Sequence, residues 1–132
     1  MLDGWGGEHS AGTAPTFSGG PYWRGWDIAR SIRITPSGTG AYLLDGFGVA
    51  WPLGTAPNRG FPSFGGDIAR AITVMPDGNG YAILDGFGAI HNYGSAPAAS
   101  NPLYVIADRF RGIATISGHY ALVRNDGNSS TL

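Results

Sequence analysis

The chain has 132 residues, a formal charge of −1 and no cysteine, which fits one domain and excludes a disulfide framework or a thiolate metal centre. Its 23 glycines and 9 prolines disfavour long helices, while 42% hydrophobic residues are too many for a disordered linker. The eight basic residues are scattered singly and form no stripe for a phosphate backbone, and no apolar run reaches a spanning length, so neither nucleic acid nor membrane insertion is expected.

The elements in chain order repeat themselves. Asp3-Gly4-Trp5-Gly6 reads as a turn, and it returns as Asp45-Gly46-Phe47-Gly48 and Asp85-Gly86-Phe87-Gly88. Asp126-Gly127 reads as the start of a fourth copy, which sets a period of about 41 residues. After each turn come a histidine or tryptophan (His9, Trp51, His91), a glycine, and then Thr13-Ala14-Pro15, Thr55-Ala56-Pro57 or Ser95-Ala96-Pro97. Asp27, Arg30 and Ile32 recur as Asp67, Arg70 and Ile72, and again as Asp108, Arg111 and Ile113.

Within one unit the spacing predicts short strands. Residues 31–35 alternate in strand fashion, Pro36-Ser37-Gly38-Thr39-Gly40 is a hairpin turn, and 41–44 is a second strand. The Asp45 turn leads into a third strand at 49–53, and a weaker fourth edge strand is expected after the Ala-Pro pair. The chain thus divides into three units of one domain, about 3–44, 45–84 and 85–125, circularly offset. The offset predicts that the N-terminal strand completes the sheet begun by the C-terminal strands.

The expected fold is all-β, with two architectures in competition. A β-trefoil needs three repeats of about this length and would be a monomer. A β-propeller needs about four to eight blades, so two chains would supply six as a homodimer. The stretches "SIRITPSGTGAYLLDGFGVAWPLG" and "AITVMPDGNGYAILDGFGAIHNYG" resemble the glycine-rich repeats carried in many copies by bacterial secreted and surface proteins. The resemblance covers nearly the whole chain and implies propeller-like blades of antiparallel strands and an extracellular or cell-surface setting.

Candidate functional residues follow from recurrence. Arg30–Asp45, Arg70–Asp85 and Arg111–Asp126 are expected to pair, each arginine pinning a loop to a turn of its own sheet, with Asp27, Asp67 and Asp108 beside them. The alternative role for these arginines is to grip an anion or sugar. Trp5, Phe47 and Phe87 occupy equivalent turn positions, and Trp23, Trp26 and Trp51 add to them. Such aromatics suit packing between blades, an interface between chains, or stacking on the apolar face of a sugar ring. They are the expected ligand-binding set, with a glycan or protein as the ligand.

No metal or cofactor is expected. His9 and His91 fall in different units without a second ligand at close spacing, and Asp77-Gly78-Asn79-Gly80 lacks the acidic partners of a calcium loop. The serines have no fixed His and Asp partner, and Glu8 is the only glutamate, so an enzyme is not expected. The reading is a non-enzymatic module that joins copies of itself into a ring and binds glycan or protein. A surface-assembly repeat without small ligand and a monomeric trefoil lectin are the alternatives.

Overall fold

The computed structural model describes residues 1–99 and 103–132. Among these the protein is all-β, with three antiparallel sheets and no helix. The first sheet holds β1 (Ala29–Ile34), β2 (Gly40–Asp45) and β3 (Ala50–Gly54). The second holds β4 (Ala69–Val74), β5 (Gly80–Asp85) and β6 (Ile90–Gly94). The third holds β7 (Phe110–Ile116), β8 (His119–Arg124) and β9 (Ser129–Thr131). Each is a meander with its second strand in the middle, so every sheet straddles a boundary between sequence units.

The middle strands explain why one sheet cannot stand alone. All six residues of β2, and all six of β5, are buried, because each strand is covered on both faces. Tyr42 and Leu44 point toward the second sheet and pack with Ile72, Tyr81 and Ile83. Ala82 and Leu84 point the other way and pack with Phe110, Ile113, Tyr120 and Leu122 of the third. Ala41 and Leu43 face a smaller core with Leu2, Phe17 and Trp23. Each buried leucine or isoleucine stabilises the stack by roughly 1.5–3 kcal/mol relative to exposure. The strands of the first and third sheets do not touch.

Two expectations are corrected. The fourth edge strand does not form among the described residues, and each sheet has three strands. The connections contain Pro57, Pro62 and Pro97, which lack the N–H a ladder needs. Tyrosine hydroxyls fasten them instead: Tyr42 Oη donates to Pro57 O at 2.7 Å, Tyr120 Oη to Pro97 O at 2.7 Å, and Tyr81 Oη to Gly60 O.

The N-terminal strand does not complete the third sheet. That place is held by β9, which pairs with β8 through Ala121–Thr131, Leu122–Ser130 and Val123–Ser129. Residues 1–9 instead fold back on themselves, with a bridge between Leu2 and Glu8, and cover the first sheet. The fragment repeats the end of a middle strand, its turn and a third strand, as the pairing of Leu44 with Ala50 does in the first sheet.

The third hairpin also shifts the register of the last turn. β7 and β8 join through Ser117-Gly118, both at positive φ (48° and 80°), as a two-residue primed turn requires. The equivalent hairpin of the first sheet is longer, with Thr35 N donating to Gly40 O at 2.8 Å around Pro36-Ser37-Gly38-Thr39. Phe110 therefore faces Arg124, where Ala29 faces Asp45 and Ala69 faces Asp85. Arg124 and Asn125 occupy the Asp-Gly places of the repeat, and Asp126 occupies the Phe47 place.

Candidate functional site at the Asp-Gly edge

The turns between second and third strands gather along one edge of the stack. In the first two sheets, and in the N-terminal turn, an aspartate caps the turn. Asp45 Oδ1 accepts from Phe47 N at 2.9 Å and Val49 N at 3.0 Å, and its Oδ2 accepts from Trp51 Nε1 at 3.0 Å. Asp85 repeats this with Phe87 N at 2.9 Å, Ala89 N at 3.0 Å and His91 Nε2 at 3.3 Å. Asp3 does so with Trp5 N, Gly7 N and His9 Nε2 at 2.9, 2.8 and 2.9 Å. The recurring His or Trp after each turn is thus a side-chain N–H partner for a carboxylate.

This corrects the expected ion pairs. Asp45 and Asp85 are buried within their own turns and do not pair with Arg30 and Arg70. Arg30 reaches forward instead. Its Nε and Nη2 make a two-pronged contact with both oxygens of Asp67, and its Nη1 reaches Asp27 at 3.1 Å. Arg70 repeats the geometry on Asp108, with Nε 3.2 Å and Nη2 2.5 Å from its oxygens, and holds Asp67 through Nη1 at 3.1 Å. Arg111 holds Asp108 at 2.6 Å. Asp126, expected to pair with Arg111, lies 3.1 Å from Arg124 and 3.9 Å from Arg109. The result is one alternating ladder across the stack: Asp27, Arg30, Asp67, Arg70, Asp108, Arg111.

A backbone irregularity aims each arginine. The register of β1 against β2 slips between Ala29 and Ser31, of β4 against β5 between Ala69 and Ala71, and of β7 against β8 between Phe110 and Gly112. Arg30, Arg70 and Arg111 are the extra residues of these bulges, which turn a side chain out of the pleat. Glycine makes room for the ladder. A Cβ at Gly4, Gly46 or Gly86 would overlap the carboxylate of Asp27, Asp67 or Asp108 respectively. The carbonyl of Gly46 also accepts from Ile68 N and Ala69 N, both at 2.9 Å, and that of Gly86 from Arg109 N and Phe110 N at 2.7 and 3.0 Å.

The charges inside the ladder shift one another. Burial alone would raise the Asp67 carboxyl, but Arg30 and Arg70 outweigh it and hold it below the ordinary aspartate value. The Arg70 hydrogen bond, opposed by burial and helped by Arg111, lowers Asp108 as well.

The six aromatic candidates do not converge on one pocket. They pair off along the edge. Trp5 meets Tyr22 edge-on at 6.5 Å, Trp26 meets Phe47 at 5.7 Å, and Trp23 meets Trp51 at 6.1 Å, while Phe87 stacks on Tyr104 at 6.1 Å. Trp5, Tyr22, Trp26, Trp51 and Tyr104 are exposed. Tyr22 and Tyr104 complete pairs that turn recurrence alone does not reveal; their signal is an aromatic residue in the loop before each first strand. The arginines at 109 and 124 were missed, because the shortened third hairpin hides their register.

The hollows lie elsewhere. Two of about 220 and 260 Å³ open between the hairpin turns at the other end, bounded by Pro36, Pro57 and Asp77 or by Met75, Pro76 and Pro97. Both fall below the ~300 Å³ of ordinary ligand pockets. Among the described residues no three His, Asp or Glu side chains gather as a metal cluster, and no helix is long and apolar enough to cross a membrane. Comparison of the chain with family models, with curated proteins and with solved structures finds no match to any of them.

Proposed function

We propose that the protein is a non-enzymatic propeller-type module that joins copies of itself into a ring and binds a glycan or protein ligand along its Asp-Gly edge. The exposed aromatic row beside the ladder carries this reading. Trp26 is about half exposed (51%) and is followed directly by Asp27, whose side chain is 78% exposed. An aromatic face beside an exposed carboxylate is the chemistry that grips a sugar, the ring stacking on C–H faces and the outward carboxylate oxygen taking a hydroxyl. A shallow edge also fits this better than a closed pocket fits it, since a long chain can lie across successive turns.

The test is a glycan array probed with the folded protein, followed by titration of any responding sugar. Binding that weakens at least tenfold in Trp26→Ala, with an unchanged melting curve, supports the reading. A uniformly flat array with folded protein removes the sugar, and the edge is then a protein interface or an internal fastening. The edge-on pairing of Trp26 with Phe47 favours that second reading, in which the aromatics brace neighbouring turns of a structural repeat.

A further inference from the structure

We infer that the third sheet of one copy docks on the N-terminal end of a second copy, with Arg111 gripping Asp27 of that second copy. The inference deepens the self-assembly reading above and rests on it. Its starting point is the ladder, whose two ends are unequal to its middle. Arg30 and Arg70 each use the Nε and Nη2 edge of the guanidinium on the aspartate of the following unit. Arg111 makes the same internal contacts, to Asp108 and to Phe110 O, but no carboxylate faces its outer edge among the described residues. Its side chain is 41% exposed, against 19% for Arg30 and 15% for Arg70. Asp27 is the mirror case: it holds Arg30 alone and is 78% exposed, against 39% and 36% for Asp67 and Asp108. A free guanidinium fork and a free carboxylate of one ladder are complementary.

The surfaces agree. Ala121 and Val123 occupy the places of Tyr42 and Leu44 in β2 and of Ala82 and Leu84 in β5, all four of which lie under a neighbouring sheet. Val123 is 49% exposed, and Ile116 on the same hairpin 56%. At the opposite end, Ile34 is exposed beside a hollow of about 70 Å³ bounded by Met1, His9, Phe17 and Ile32. That hollow lies next to the Leu2–Glu8 fragment, where a β-hairpin like β7–β8 would continue the stack.

The complementarity is local to this one pair. Asp126 lies 3.1 Å from Arg124 and 3.9 Å from Arg109, so among the described residues Arg111 is the third sheet's cation with an unused outer edge, and Asp27 is its counterpart at the N-terminal end. Opposite charges set register between partners.

The glycine rule refines the docking. Asp27 is already seated on Gly4, where a Cβ would overlap it. The corresponding place in the third sheet is Asn125, which carries a Cβ. The junction therefore uses the Asp3-Gly4 turn of the second copy, and the short strand β9 yields its edge. Met1 and Leu2 of the second copy, which hold its Glu8–His9 edge through the His9 N to Met1 O bond and the Leu2–Glu8 bridge, are displaced as well. Glu8–Ser10 of the second copy then take the register of Ser129–Thr131, which places Ser10 opposite Ala121, as Pro52 lies opposite Tyr42.

Charge reversal tests the contact. Sedimentation velocity is run on the wild type, on Arg111→Glu, on Asp27→Arg and on a mixture of the two variants, each checked for an intact melting transition. The expected results are a discrete dimer for the wild type, 13.7 kDa monomers for either variant alone, and recovery of the dimer in the mixture. A monomeric wild type overturns self-assembly itself. A wild-type dimer that either folded variant retains leaves self-assembly standing and overturns this interface, as does a mixture that stays monomeric. A second measurement locates the strand. Mixing Ser10→Cys with Ala121→Cys chains under oxidation is expected to give the mixed covalent dimer, since directly opposed strand residues lie within disulfide reach. Its absence while the non-covalent dimer persists overturns the exchange of β9.

Discussion

Arg70 grips Asp108 with both prongs of its guanidinium, Nη2 at 2.5 Å and Nε at 3.2 Å, although 38 positions separate them in the chain. The contact spans two sheets, so it fastens one repeat to the next. Truncation to Arg70→Ala removes that fork and the hold on Asp67 together. Loss of one partner from a buried pair costs about 3–5 kcal/mol, and partial exposure of the two aspartates reduces the expected loss here to about 1–3 kcal/mol. Chemical denaturation checks it: the midpoint falls while the slope stays constant.

Gly46→Ala tests the close approach of turn and carboxylate. The added methyl meets Asp67 and the side chain of Ile28, and overpacking of this kind costs about 1–3 kcal/mol. Gly66→Ala is the contrast, since a Cβ there has open space and the backbone φ is ordinary. Its stability should stay within about 0.5 kcal/mol of the parent. Equal losses at the two sites would remove steric fit as the reason for Gly46.

Acid should loosen the stack. Asp67 and Asp108 have carboxyls held below their ordinary value of 3.8, so the unfolded chain takes up protons first as pH falls. Their contribution is complete above that value and is lost as pH drops through the lower folded values. Denaturation midpoints measured from pH 6 to pH 2 should decline below about pH 4, and Arg70→Ala should flatten that decline.

Alkali should act through Tyr81. Burial first, with Tyr42 and Tyr93 nearby, pushes its hydroxyl up to about 12, while the unfolded tyrosine ionises near 10. The folded state keeps its proton longer, so this stabilisation is present below about pH 10 and is lost as pH climbs toward 12. Tyr81→Phe should lower stability at neutral pH through the missing bond to Gly60 O and show a shallower alkaline decline.

The period, the first three strands of the first two units and their Asp-Gly turns were legible because each has a local cause: alternation, positive-φ glycine, and carboxylate capping; β9, where the N-terminal strand was expected, was not. The partners of Arg30 and Arg70 were not. A bulge redirects each arginine out of the pleat, and bulges leave no mark in alternation. The register of Asp126 misled for a related reason. Ser117-Gly118 shortens the last hairpin, so the visible Asp-Gly pair lies two places beyond its structural counterpart. Recurrence placed Trp5, Phe47 and Phe87 correctly at the turn edge, but their partners Tyr22, Trp26 and Tyr104 come from loops of unequal length.

The central claim is that the repeats are fastened between sheets by the ladder, and a pair of double-mutant cycles in denaturant tests it most directly. Arg70→Ala with Asp108→Ala should show coupling of about 1 kcal/mol or more, and Arg70→Ala with Asp85→Asn, next to it in the sheet but without a hydrogen bond to it, should show clearly less. Coupling to Asp85 without coupling to Asp108 would place the arginine within its own sheet and contradict the account.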